Sequence, residues 1–229
     1  MRKKSYRNIN LFYLAIIILM VSLIILFLFM DNDNIPILDR QVNSPEETET
    51  YVTSILNERQ KKDSEIIDSI ISRFNKEEQK HFKDKGLQYF EPDLNYRVVV
   101  DFFIDTSTAI FPFPTNTERT PNYRIYGSVH FIIHDTLCKL TVYQNMDFKN
   151  STDYDYTLFL PFMDNTNGIY TYGGGRYMDI DIPESDSILL DFNEAYNPYC
   201  AYSSRWSCPL VPFANDLNVS INAGEKRYK

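Results

Sequence analysis

Three histidines, three cysteines and a single tryptophan in 229 residues leave little material for metal chemistry. His130 and His134 have the i, i+4 spacing of a helical zinc pair, but they fall in an alternating strand pattern, where that spacing separates them by about 13 Å. With His81 as the only other histidine, a His-based metal site is not expected, and no metal or cofactor is assigned. Basic residues are short too: 23 Lys and Arg stand against 31 Asp and Glu, a formal charge of −8. That balance argues against nucleic acid, which needs a basic face to displace counterions, and against docking on anionic lipid headgroups. Without Arg2, Lys3, Lys4 and Arg7 the remainder stands at 19 against 31, or −12. No Lys-Ser/Thr element follows Gly173-Gly174-Gly175, so these glycines do not form a phosphate loop. Internal repeats, low-complexity tracts and clean coiled-coil heptads are missing as well.

Charge is absent from Leu11–Met30, LFYLAIIILMVSLIILFLFM. Twenty residues of helix measure about 30 Å, the thickness of a bilayer core. Four basic residues before the run, with Asp31 and Asp33 after it, predict a cytoplasmic N-terminus. No short apolar region with a small-residue cleavage site marks a cleavable signal, and no Cys before Cys138 offers a lipidation point. The expectation is a single-pass signal anchor in the inner membrane, with residues 11–30 in the bilayer and the C-terminal body periplasmic or extracellular.

Asn32–Asn43 reads as a linker. Ser44-Pro45-Glu46-Glu47 is a helix start, with Ser as cap and Pro at the first helical position. Tyr51, Val52, Ile55 and Leu56 form one apolar stripe, and Ile66, Ile67, Ile70, Ile71 and Phe74 another. The polar interval Asn57–Glu65 suggests two helices rather than one, and Asn75 with Glu78 caps a further short helix ending near Gly86. Residues 31–86 are thus expected to form a linker and helical stalk that docks on the body. Beyond Gly86 the period changes to two. Tyr96–Ile104, Tyr123–His134, Thr136–Gln144, Tyr156–Phe162, Arg176–Ile182, Ser187–Phe192 and Leu217–Ile221 read as strands, with a hairpin turn at His134-Asp135. The 17 Tyr and 16 Phe suit such pleated, half-buried surfaces. Residues 87–229 are therefore expected to be one mainly β domain, an antiparallel barrel or sandwich of about eight strands.

Leu189–Pro209, LLDFNEAYNPYCAYSSRWSCP, follows neither period. Its aromatics and cysteines argue against disorder, so it is read as an ordered loop around which the domain is organised. Together with LFLPFMDNTNGIYTYGGGRY (158–177), LDFNEAYNPYCAYSSRWSCPL (190–210) and the terminal AGEK (223–226), it carries a resemblance. From about Lys85 to Arg227 the chain resembles the bacterial domain-of-unknown-function family 1684. The resemblance singles out Arg176, Tyr177, Asp191, Asn193, Tyr196, Asn197, Cys200, Cys208, Asn215 and Glu225, and implies no reaction. Many members carry a basic residue where Glu194 stands.

Cys200 and Cys208 enclose a nine-residue stretch within the expected cross-linked loop 193–215. In an oxidising compartment they are read as a disulfide, which for so short a loop contributes roughly 2.5 kcal/mol. A metal site or a nucleophilic Cys would want a His nearby, and neither motif has one. Cys138 reads as a buried free thiol. Arg176 after three glycines is either a turn residue paired with a carboxylate or a clamp for an anionic group. Asp191, Asn193, Asn197, Asn215 and Glu225 either satisfy loop backbone or, with Arg176, Tyr177 and Tyr196, line a ligand pocket. Asp179 and Asp181 read as a solvent face.

Three functions follow as expectations. The first is a non-catalytic envelope module holding a small polar molecule or an envelope protein against Arg176, Asp191 and Tyr196. The second is a metal-independent hydrolase using Asp191 or Glu225 with Arg176, and the third a purely structural envelope protein. They differ in whether Arg176, Asp191 and Glu225 meet in an open pocket.

Overall fold

Seven antiparallel strands form one curved sheet in the computed structural model, which describes residues 44–69, 71–147 and 157–228. The strands are β1 (Arg97–Ile104), β2 (Ile110–Pro112), β3 (Asn122–Ile133), β4 (Thr136–Asn145), β5 (Thr157–Phe162), β6 (Arg176–Asp181) and β7 (Ser187–Asp191). Their order is β6-β5-β4-β3-β1-β7, with the short β2 also paired to β3. The β3–β4 hairpin turns at His134 and Asp135, both at positive φ, as a tight two-residue turn matched to strand twist requires. Period-two patterning places Val98, Val100 and Phe102 of β1, Val129 and Phe131 of β3, and Leu140 and Val142 of β4 in one core. Leu217, Val219, Ile221 and Ala223 of the C-terminal tail close that core from the other side. Behind the sheet, Phe113, Tyr123 and Tyr143 form a smaller aromatic cluster with Phe111 and Phe159.

Among the described residues two α-helices precede the sheet. Helix α1 (Pro45–Ser69) opens on a reciprocal cap: Glu47 N–H donates to Ser44 Oγ at 3.1 Å and Ser44 N–H to Glu47 Oε2 at 2.7 Å. Helix α2 (Lys76–Lys85) is capped in the same way by Asn75 and Glu78 and ends at Gly86. Phe82 of α2 packs with Phe74, Leu87, Tyr202 and Tyr228 in a separate cluster against the 199–206 loop.

The sheet corrects the expected architecture. Its end strands β6 and β7 are not hydrogen-bonded to each other, so it is neither a closed barrel nor a sandwich, and among the described residues it has seven strands rather than about eight. Leu217–Ile221 has the predicted alternation but no ladder: its backbone meets the residues after β5 through one parallel bridge, Met163 with Asp216, while Leu217, Val219 and Ile221 pack into the core. Helix α1 is one helix through Asn57–Glu65, not two, since this polar interval docks: Arg59 Nη1 donates to the Phe90 carbonyl at 2.8 Å and Nη2 to the Asn193 carbonyl at 3.1 Å. Tyr51, Ile55, Arg59 and Lys62 thus form the docking stripe at helical spacing, while Leu56 is exposed. The expected transmembrane helix is not found. Among the described residues no helix is long and apolar enough to cross a membrane, and Leu11–Met30 lies outside those residues. The signal anchor, the bilayer contact and the inner-membrane placement with a periplasmic body therefore have no support in the fold.

Candidate functional site

Arg176 begins β6 and turns inward, with none of its surface exposed. Its Nη2 donates to Asp164 Oδ2 at 2.7 Å and to the Ile221 carbonyl at 2.8 Å, and its Nη1 to the Ala223 carbonyl. Asp164 in turn accepts from Thr166 N–H at 2.7 Å, and Asn165 N–H donates to the Val219 carbonyl at 3.0 Å. This pair supplies the tail with the bonds that a neighbouring strand would have given. Burial lowers the Arg176 pKa, and the Asp164 carboxylate opposes that shift. Gly175 must be glycine here: its φ is +87°, and a Cβ would lie 2.7 Å from the Phe162 carbonyl oxygen.

Three asparagines perform the same service elsewhere, Asn193 and Asn215 with both the donor and the acceptor of the carboxamide and Asn197 with its donor. Asn215 accepts from Thr141 N–H at 2.8 Å and donates to the carbonyls of Thr141 at 2.8 Å and Pro161 at 2.6 Å. Asn193 accepts from Asp93 N–H and donates to the Asp93 carbonyl, both at 2.9 Å. Asn197 Nδ2 donates to Glu225 Oε1 at 2.7 Å and to the Lys226 carbonyl at 2.8 Å. Glu225 is fully buried and also accepts from Asn197 N–H at 3.0 Å and Tyr202 O–H at 2.6 Å. Burial raises its pKa against the pull of these donors. Tyr177 O–H donates to the Pro209 carbonyl, and Tyr196 O–H to Asp179 Oδ2 at 2.6 Å. Arg176, Asp191 and Glu225 therefore do not share an open pocket; each hydrogen-bonds a different segment.

Asp191 is the exception among them. It ends β7, 8% exposed, and its Oδ1 caps the following turn by accepting from Asn193 N–H at 2.9 Å. Its Oδ2 accepts from Tyr51 O–H at 2.8 Å and lies 3.5 Å from Arg97 Nε. That oxygen faces a cleft of about 380 Å³ between the two ends of the sheet, roofed by α1. Met178–Pro183 form one wall, Ile188–Asp191 the other, and Tyr51, Ser54, Ile55 and Glu58 the roof. Arg97 stands at the side with 41% of its side chain exposed, its guanidinium 5.2 Å from the Tyr51 ring centre. Five carboxylates line this cleft: Glu58, Asp179, Asp181, Asp191 and Glu194. Glu194 is pushed up to about 7 by loss of solvent at its carboxyl, then by repulsion from Asp191 and Glu58. A neighbouring hollow of about 250 Å³ holds Lys62, whose Nζ sits 3.9 Å over the Tyr196 ring, with Asp179, Asn197, Tyr199 and Tyr202 around it.

Sequence reasoning assigns none of Tyr51, Arg97, Glu194 and Lys62 to a site: Tyr51 reads only as part of an apolar stripe and Glu194 only as a departure from the family pattern. Arg97 looks like the solvent phase of an alternating strand, and Lys62 sits in a polar interval; only the i, i+4, i+8, i+11 spacing of Tyr51, Ile55, Arg59 and Lys62 hints at a docked face. Cys200 and Cys208 lie side by side as thiols, with Cys200 N–H donating to Cys208 Sγ at 3.2 Å. Cys138 is a buried thiol. Among the described residues no group of three or more His, Cys, Asp or Glu is placed to hold a metal ion.

No curated protein matches the chain. A solution NMR structure of an uncharacterised protein from Haloarcula marismortui is similar: 34% identity, 80% of this chain and 97% of that one covered, and a TM-score of 0.61. A family model described as "Protein of unknown function (DUF1684)" matches residues 81–226, which takes in the whole sheet, Arg97, Asp191, Glu194, both clustered cysteines and Glu225, but not Tyr51 or Lys62. With well over half its length matched, the chain belongs to the DUF1684 family.

Proposed function

We propose that the protein is a non-catalytic binding module for a small polar molecule bearing an amine, held in the cleft between β6 and β7. The observation that carries this reading is the lining of that cleft: five carboxylates against one arginine in about 380 Å³, a volume within the range of small-molecule sites. Asp191 stands in the β7 wall, Tyr51 and Arg97 hold its carboxylate in place, and Glu58 and Glu194 add further carboxyl groups to the lining. Arg97 keeps its terminal nitrogens out of the hydrogen bonds among the described residues, so a carboxylate on the same ligand finds a fork beside the amine-binding groups.

A hydrolase using Arg176 draws no support, because Arg176 is enclosed and Glu225 is occupied by Asn197 and Tyr202. A purely structural role suits Arg176, Asn193, Asn197 and Asn215, but leaves the charged cleft without a purpose.

The test is thermal melting with putrescine, L-lysine and citrate as probes. A ligand binding only the folded state at a hundred times its Kd stabilises by about 2.7 kcal/mol. The amines are expected to raise the melting temperature of the wild type and not of Ser54→Trp, which fills the roof of the cleft from an exposed helical position. Equal shifts in both proteins, or stabilisation by citrate alone, overturn the reading.

A further inference from the structure

Cys200 and Cys208 are used by neither the sheet nor the cleft. Cys200 lies in a short turn of 3-10 helix, Tyr199–Ala201, and is half-buried; Cys208 is buried. The Cys200 amide points at Cys208 Sγ, 3.2 Å away, and the Tyr172 hydroxyl lies 3.7 Å from Cys200 Sγ. The backbone of Cys208 is fixed on both sides by one residue: its N–H donates to Asn116 Oδ1 at 2.7 Å, and its carbonyl accepts from Asn116 N–H at 3.0 Å. Cys200 is thus the more exposed residue of the pair, and Cys208 is the buried one, on a pinned main chain. Cys138 makes the contrast: it is buried in β4, its thiol 3.5 Å from the Thr136 carbonyl, and burial raises its pKa.

We infer that Cys200 and Cys208 form a hydroperoxide-reactive dithiol, with Cys200 as the attacking thiol and Cys208 as the resolving one. The Cys200 thiol is lowered to about 7, first by its hydrogen bond with Cys208 and further by Tyr172, while burial works against them. The thiolate is the nucleophile, and a thiol near ambient pH combines thiolate population with reactivity.

In the first step Cys200 Sγ attacks one peroxide oxygen, the O–O bond breaks, and the departing hydroxide takes up the thiol proton as water. Cys200 is left as a sulfenic acid, two electrons having passed to the peroxide. Cys208 Sγ then attacks Cys200 Sγ, the S–OH bond breaks, and the hydroxyl leaves as a second water with the Cys208 proton. The product is a Cys200–Cys208 disulfide, which two equivalents of a small thiol reduce. Neither step needs the cleft or its ligand, so this inference stands or falls apart from the binding reading.

The experiment exposes the reduced full-length protein to hydrogen peroxide, quenches with a thiol alkylator, and maps peptides by mass spectrometry without reduction. The expected result is a cross-link between Cys200 and Cys208, with a mass lower by two hydrogens, while Cys138 is alkylated after unfolding. Cys208→Ser is expected to accumulate a sulfenic acid on Cys200 that dimedone traps. Cys200→Ser is expected to give at least tenfold less trapping at Cys208. Circular dichroism of each variant confirms that it is folded, and folded wild type supplies the cross-link result alone. Both thiols remaining alkylatable at peroxide levels that oxidise free cysteine, oxidation of Cys138 first, or equal trapping at either cysteine overturns the assignment.

Discussion

Two arginines on this sheet have the same chemistry and opposite circumstances. Arg176, at the start of β6, has no exposed surface and bonds an aspartate and two tail carbonyls. Arg97, at the start of β1, has 41% of its side chain exposed and one ion pair at 3.5 Å. The first organises the interior, because the extended tail pairs with the sheet through one bridge, Met163 with Asp216, and leaves the carbonyls of Ile221 and Ala223 for the guanidinium to satisfy. The second stands at the open seam, where its remaining donors face a cleft rather than a chain. A guanidinium fork in sequence does not distinguish a buried pin from a half-exposed side chain; the number of backbone groups left over by the topology does.

The comparison breaks most visibly at Arg176. Arg176→Met leaves Asp164 buried without a cation and two tail carbonyls without donors, and is expected to cost about 3–5 kcal/mol. Urea unfolding measures it, and a loss below about 1 kcal/mol would mean that the tail is held by its apolar residues alone. Gly224→Ala comes next. Its φ is +72°, and a Cβ would sit 2.6 Å from the Ala195 carbonyl oxygen, so the tail turn that aims Glu225 inward must deform. Asn215→Ala strips partners from Thr141 and Pro161 and is expected to cost about 2 kcal/mol by the same measurement. A neutral Asn215→Ala would show that water replaces the carboxamide.

How much of this is legible in sequence follows the same division. Alternation in Tyr96–Ile104 and Thr136–Gln144 locates β1 and β4 to within a residue, because one face of each is core. The same signal misleads at Leu217–Ile221, where Leu217, Val219 and Ile221 are core residues without a strand partner: period two reports which side chains are buried, not what the backbone pairs with. Asp191, Asn193, Asn197 and Glu225 are recognisable as polar groups in apolar company, yet their sorting into separate networks depends on contacts distant in sequence, such as Asp191 with Tyr51, Asn193 with Asp93 and Asn197 with Glu225. Arg97 carries no local mark, and Lys62 only its helical spacing from Tyr51, Ile55 and Arg59. Their roles arise when α1 lays a polar stripe on the seam, which puts Lys62 over Tyr196 and Tyr51 on Asp191.

Arg97→Ala sharpens the contrast from the other side. Half-exposed ion pairs contribute little, so its effect on stability is expected to stay below about 1 kcal/mol, several times less than that of Arg176→Met. Isothermal titration is expected to show the larger change, a weakening of L-lysine relative to putrescine, because only L-lysine has a carboxylate for the guanidinium to meet. Equal weakening of both probes would assign Arg97 to holding Asp191 in place rather than to contacting the ligand.

The smallest effect separates folding from binding within one residue. The Glu194 carboxyl is raised from 4.5 to about 7 by desolvation, then by Asp191 and Glu58. A carboxyl raised in this way binds its proton more tightly in the folded chain than in the unfolded one. Its contribution to stability is therefore present in full below about pH 4.5 and is lost as pH rises through about 7. Glu194→Gln removes that titration, so the variant is expected to gain on the wild type between those pH values and to level off above them. Solvent at the cleft mouth screens the charge, which keeps the gain to about 1 kcal/mol or less. Putrescine binding is expected to run the other way: wild-type affinity rises as Glu194 ionises near pH 7, while the Gln variant shows no such step. Urea melts and titrations at pH 5 and pH 8 read both quantities on the same two proteins. A stability difference that does not change with pH would remove Glu194 from the set of strained charges. A stability step without an affinity step would keep the strain but move the ligand away from the cleft mouth.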